Sequence, residues 1–136
     1  MKKLLLSVSL LCLALIAFQP ERAGAQDKEQ DVFTPIGKYL QNGDYDKLSA
    51  WFADNLELDV MGAINDCTRN QAKLIMKNFF ADHTPKKFTI IHKSGKAPMK
   101  YAVGTLQAGG EKYRVILYVK VNEGKSYIQQ LKIERE

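Results

Sequence analysis

The spacing of the apolar residues changes at Pro85, and that change limits this chain to a few architectures. Before it, Ala72, Ile75, Met76, Phe79 and Phe80 fall at i, i+3, i+4, i+7 and i+8, one stripe of an amphipathic helix. Thr68 and Gln71 frame the start of that helix as a capping box, each placed to satisfy a free backbone donor of the other. Pro85, after Asp82-His83-Thr84, stops it, because proline lacks an N–H and its ring blocks the preceding turn. Beyond Pro85 everything reads as β. Residues 88–93, 100–107, 111–121 and 126–134 are four strand segments divided by Gly and Pro turns. Gly109-Gly110 and Asn122-Glu123-Gly124 sit where hairpin connections need positive φ. The third segment alternates cleanly, with Tyr113, Val115, Leu117, Val119 and Val121 on one face and Arg114, Ile116, Tyr118 and Lys120 on the other. One face must be core; the other is mixed rather than purely polar.

Upstream, Val32, Ile36, Tyr39 and Leu40 predict a helix over residues 31–41, with Pro35 in its opening turn, where a missing donor costs little. Asn42-Gly43 is a stop signal. Asp44 can cap a second helix carrying Leu48, Trp51 and Phe52 along one stripe. Residues 56–61 then switch to strand period, with Leu56, Leu58 and Val60 pointing one way and Glu57 and Asp59 the other. The predicted order is α-α-β-α-β-β-β-β. An antiparallel meander with helices segregated against one face is an α+β architecture.

The first 25 residues say where the protein goes. Lys2 and Lys3 precede an apolar run over residues 4–18, and Ala23-Gly24-Ala25 supplies the small residues a signal peptidase reads. As a helix that run spans about 22 Å, short of the roughly 30 Å hydrocarbon core, so it makes a poor membrane anchor. The expectation is a signal peptide over residues 1–25, a polar leader over 26–30 and a single domain over 31–136, exported to the periplasm or secreted. Cys12 lies inside the signal peptide, and its position within the apolar run does not fit a lipoprotein. Cys67 is left without an internal partner, so no disulfide staples the domain.

Removing residues 1–25 leaves 17 basic and 14 acidic residues, and their distribution is uneven. Residues 26–66 carry nine acids against three lysines. No acid falls between His83 and Gly110, where Lys86, Lys87, Lys93, Lys96 and Lys100 all lie. Such asymmetry can steer an anionic partner or set contacts between copies, or it can be a solvated sheet face. Nucleic acid is a poor fit for an exported chain with four arginines and no recognised binding motif.

The element order, with a strand wedged between the second and third helices, resembles the cone-shaped domains of the nuclear-transport-factor-2-like (NTF2-like, cystatin-like) superfamily. Gly43-Asp44 leading to Leu48-Ser49-Ala50-Trp51-Phe52-Ala53-Asp54-Asn55, and Gln71-Ala72-Lys73 leading to Phe79-Phe80, resemble a family of small exported bacterial domains of unknown function within it. So do Lys100-Tyr101-Ala102-Val103-Gly104-Thr105-Leu106 and the ending Ile128-Gln129-Gln130-Leu131-Lys132-Ile133-Glu134. The resemblance covers residues 32–134 and rests mostly on packing and turn residues. It implies three helices on a curved, mostly antiparallel sheet and a pocket between them. Superfamily members include isomerases, dehydratases and cyclases along with binding and dimerising modules, so fold alone does not choose an activity.

Candidates for chemistry are few. Asp59 lies near the segment where the superfamily's isomerases carry a carboxylate base, but the strand register turns it away from the core. His92, sharing a strand face with Phe88 and Ile90, is the better candidate for a pocket group, unless it is merely a strand histidine bonded to a carbonyl. Tyr101, Tyr113, Tyr118 and Gln129 could join it as polar points of an apolar cavity. His83 reads as a helix-end residue. Two histidines nine residues apart and one cysteine give no metal-ligand spacing, and no cofactor motif is present. Nor is there a Gln-x-Val-x-Gly loop of the cystatin inhibitors.

Two classes of function follow. The first is a non-catalytic module that binds a small apolar ligand in its cone or a partner across its sheet, as a homodimer or with another exported protein. The mixed face of Arg114, Ile116, Tyr118, Lys120, Ile128, Gln130 and Lys132 suits such an interface, although long Lys and Arg stems can also simply cover a sheet. The second is a small cofactor-independent isomerase, dehydratase or hydrolase using His92 or a buried carboxylate.

Overall fold

The first helix forms where the apolar spacing places it and stops where glycine allows. The computed structural model describes residues 31–136, and the signal peptide and leader expected over residues 1–30 lie outside them. Helix α1 (Phe33–Asn42) buries Phe33, Ile36, Gly37 and Leu40. Gly43, at φ 67°, closes it, and the N–H groups of Gly43 and Asp44 donate back to Leu40 and Tyr39. The Asp44 carboxylate then caps α2 (Tyr45–Ser49) by accepting from the Lys47 N–H at 3.0 Å.

The second helix is shorter than the stripe of Leu48, Trp51 and Phe52 predicts. Sheet pairing takes over: the Trp51 carbonyl accepts from the Ile128 N–H at 2.6 Å, and Phe52 opens strand β1 (Phe52–Val60). Phe52 is buried all the same, reaching the core from the sheet instead of from a helix.

A second departure is β2 (Ala63–Thr68), a strand absent from the predicted order. Only Cys67 of its six residues is buried, so no apolar alternation announces it. It exists through backbone pairing with β1, from Asn55 opposite Thr68 to Val60 opposite Ala63, around a tight turn at Met61-Gly62. Helix α3 (Arg69–Asp82) follows with both capping-box bonds formed. The Gln71 N–H donates to Thr68 Oγ1 at 3.2 Å, and the Thr68 N–H to Gln71 Oε1 at 2.8 Å. Ala72, Met76, Phe79 and Phe80 are buried along its predicted stripe.

Strands β3 (Pro85–Lys96), β4 (Met99–Ala108), β5 (Glu111–Asn122) and β6 (Lys125–Arg135) then form an antiparallel meander. β1 joins it parallel to β6, giving one six-stranded sheet in the order β2-β1-β6-β5-β4-β3. α1 packs against β3 and α3 against β1 and β2, on the same side of the sheet. The core lies between the layers, with Tyr113, Val115, Leu117 and Val119 of β5 fully buried as their alternation predicts. The Phe88 ring wedges between Gly37 of α1 and Gly104 of β4, filling the space where the helices meet the sheet.

Two bulges decide which way later side chains point. In β3 the register steps from Ile90 opposite Gly104 to His92 opposite Val103, leaving Ile91 extra. In β6 it steps from Ile128 opposite Val119 to Gln130 opposite Tyr118, leaving Gln129 extra. Each extra residue moves every side chain after it to the other face.

Candidate functional site

The face of the sheet turned away from the helices, the outer face, collects most of the candidate residues. Cross-strand partners in register share a face. Tyr118 stands opposite Tyr101 on one side and Gln130 on the other, and Ile116 stands opposite Val103 and Lys132. His92, opposite Val103, completes the surface at the β3 end. The rings of His92 and Tyr101 lie 6.1 Å apart and those of Tyr101 and Tyr118 5.0 Å apart, a line of aromatics across three strands. Around it lie half-buried Ile116 and Val103 and exposed Met99.

This arrangement corrects the placement of His92 in a cavity with Phe88 and Ile90. The bulge at Ile91 turns it to the outer face, where it is exposed. Ile128 is corrected in the opposite sense. The bulge at Gln129 puts it in the core, 0% exposed, so it leaves the mixed face on which simple alternation places it. Arg114, Ile116, Tyr118, Lys120, Gln130 and Lys132 stay on that face.

Of the four residues that could join His92 in a cavity, Tyr101 and Tyr118 adjoin each other on the outer face and the other two lie apart from them. Tyr101 is on the outer face, Gln129 is the bulge residue of β6, and Tyr113 is in the core at 1% exposure. The Tyr113 hydroxyl and His83 Nδ1 share a hydrogen bond at 3.1 Å, the imidazole tautomer setting which of them donates. His83 is the C-cap of α3, as its place in the sequence suggests, and its ring lies 4.7 Å from that of Phe79.

Asp59 keeps the predicted register, facing away from the core opposite Ile64 and Lys132. It is buried, at 8% exposure, and its carboxylate accepts from the Gly62 N–H in the β1–β2 turn at 3.0 Å. That is a turn-closing bond, a structural role for this carboxylate.

The outer face is divided by charge. Glu57, Asp59 and Asp66 sit at the β1–β2 side, and Lys87, His92 and Lys96 at the β3 edge. Cys67, beside Asp66, is buried, and burial together with the Asp66 charge pushes its thiol above the ordinary range. Among the described residues no group of three or more His, Cys, Asp and Glu side chains is placed to hold a metal ion, and no helix is long and apolar enough to cross a membrane.

Sequence reasoning missed the contribution of Asp66, which depends on the unpredicted β2. It missed Val103 because only the pairing with β5 shows what it adjoins.

No curated protein matches the chain. Its fold is similar to that of a DUF4783 family protein from Bacteroides uniformis ATCC 8492, with a TM-score of 0.74 at 19% identity over 78% of this chain and 98% of that one. A DUF4783 family protein from Bacteroides ovatus ATCC 8483 gives 0.71 at 21% identity, covering 74% and 92%. An NTF2-like protein of unknown function from Cytophaga hutchinsonii ATCC 33406 gives 0.58 at 8% identity, covering 79% and 89%, a likeness of fold alone. Residues 33–134 match the model of the domain of unknown function DUF4783. The chain therefore belongs to the DUF4783 family, with an NTF2-like α+β fold.

Proposed function

We propose that this protein is an exported, non-catalytic interaction module that pairs with a second copy of itself through the outer sheet face. The observation that carries this reading is the line of His92, Tyr101 and Tyr118 rings, with Ile116 and Val103 beside it, on a face that no other described element covers. Aromatic and aliphatic groups ringed by Arg114, Lys120 and Lys132 have the make-up of an interface with an apolar centre and a polar rim. The division of charge favours a like partner. A two-fold axis parallel to the strands, between Tyr101 and Tyr118, sets β4 over β5 of the other copy and brings the lysines of β3 toward the acids of β1.

Tyr118→Asp puts a charge at the centre of this contact without touching the core. The expected result is a folded monomer by sedimentation and circular dichroism, where the parent sediments as a dimer. An unchanged sedimentation coefficient would sink the proposal. The packed interior, with Phe88 wedged between Gly37 and Gly104, gives the cone-ligand reading less support. The enzyme reading is weakened by an exposed His92 and an Asp59 engaged in a turn.

A further inference from the structure

The sheet ends at β3, which has no neighbouring strand beyond it among the described residues. Such an edge turns a row of backbone N–H and C=O groups outward. At Phe88 the fold supplies a substitute partner. The Phe88 N–H donates to Gln41 Oε1 of α1 at 3.0 Å, a side-chain carbonyl standing where that of a further strand would be. That bond fixes the direction of the groups along the strand. In an antiparallel pair the N–H and C=O of one residue point the same way, and those two residues on repeat it. The Ile90 N–H and C=O are therefore turned outward too, just before the bulge at Ile91.

A space of about 370 Å³ lies along this edge, between α1 and β3. Phe33 and Gly37 of α1 and Phe88 and Ile90 of β3 give it apolar walls, with exposed Lys38 and half-buried Gln41 beside them. Thr89, on the outer face opposite Thr105, lines it as well, so the space reaches around the edge of the strand instead of closing beneath the sheet. The charge of this border has one sign. α1, β3 and β4 contain lysines and no acid. Lys38 and Lys86 form no ion pair among the described residues, and Lys93, opposite the buried Ala102, adds a cation on the helix side.

A row of main-chain donors and acceptors is recognised by another extended main chain, and an apolar groove beside it takes alternate side chains of that chain. Charge selects which chain. A second β3 edge would set lysine against lysine, whereas carboxylates complement this border. We propose that β3 takes up an extended acidic segment of a partner protein as a further strand. Its main chain pairs with Ile90, an apolar side chain enters the groove over Phe33 and Gly37, and its carboxylates face Lys38 and Lys93. The Gln41 amide marks where the added strand ends. The proposal goes beyond the self-association above and does not rest on it, because stacking two outer faces leaves the edges of both sheets open.

The test titrates a terminally blocked hexapeptide of alternating glutamate and valine into the protein and follows the Ile90 backbone amide by nitrogen–proton NMR. The signal should shift, and its exchange with deuterium should slow about tenfold or more at saturation. The same peptide with lysine in place of glutamate should leave it unmoved. Methylating the peptide nitrogens that face β3 removes their donors and should weaken binding about tenfold. Lys38→Glu, at an exposed position, should weaken the glutamate peptide about fivefold at low salt. Repeating the titration on Tyr118→Asp separates the two readings. Binding retained there supports the edge site whether that variant sediments as monomer or dimer, and binding lost there would put the peptide on the outer face and overturn the proposal. So would an Ile90 amide left unprotected at millimolar peptide, or equal binding of the lysine or methylated peptide. Protection that rises with protein concentration alone would give the edge to a second copy and overturn it too.

Discussion

Gly104 shows how one missing side chain lets two layers meet. A Cβ there would run into the Phe88 ring and lie 2.8 Å from the Thr89 carbonyl, and neither neighbour has an easy retreat. Gly104→Ala should therefore cost about 1–3 kcal/mol, the usual range for overpacking a full site, read as a lower denaturation midpoint. An unchanged midpoint would mean that the Phe88 ring moves freely. At the same scale, His92 and Ile128 mark the reach of reading by alternation. Both residue types were legible, but each side chain's direction depended on one extra residue, Ile91 or Gln129, and nothing in a run of β-formers marks which residue will be squeezed out of register.

Among the elements, α3 was the most legible because its signals agree: a capping box, an apolar stripe and a proline stop. Removing one cap bond tests how much that agreement contributes. Thr68→Ala should destabilise the domain by about 1 kcal/mol in urea, whereas Thr68→Ser should be nearly neutral. A second link ties α2 to α3, with Lys73 Nζ 2.6 Å from Asp46 Oδ1. Hydrogen bonding and attraction to Lys73 hold the Asp46 carboxyl below the usual carboxylate range, and Asp46 raises the Lys73 ammonium above its own. A lowered carboxyl stabilises the fold above its ordinary value of 3.8, and the benefit fades as pH falls through the lowered one. The raised ammonium does the reverse, stabilising below 10.5 and fading as pH rises beyond it. Asp46→Asn should thus melt slightly lower than the parent at neutral pH, with the gap closing in acid and in high salt because the pair is exposed. A gap independent of pH would assign the loss to packing. By contrast, α2 is shorter than its apolar stripe predicts, and β2 carries no apolar alternation to predict it. In both places backbone pairing, to β6 or to β1, outweighed any local preference.

For the molecule as a whole, the meander and helix layer followed from period and turns, but the parallel partnership of β1 with β6 did not. That pairing joins residues some 75 positions apart, from Phe52 with Ile128 onward, and it places acids beside the outer face. The uneven charge noticed along the chain becomes, in three dimensions, a division between opposite sides of one sheet. If two copies pair with those sides reversed, added salt should weaken the dimer measured by sedimentation, since opposite charges at the rim are screened. A dimer indifferent to salt would place the rim charges out of reach of each other and move the symmetry axis.

By itself the sequence determined the α+β class, the order of the helices and the meander, the caps and turns, and the core face of β5. These depend on period, glycine, proline and capping chemistry, which act over a few residues. Only the tertiary structure decided that Phe52 is strand rather than helix, that Ala63–Thr68 pairs with β1, and that His92 faces out while Ile128 faces in. Each of those outcomes turns on how distant strands match their hydrogen bonds, and a single unmatched residue there reverses a face without leaving a local trace.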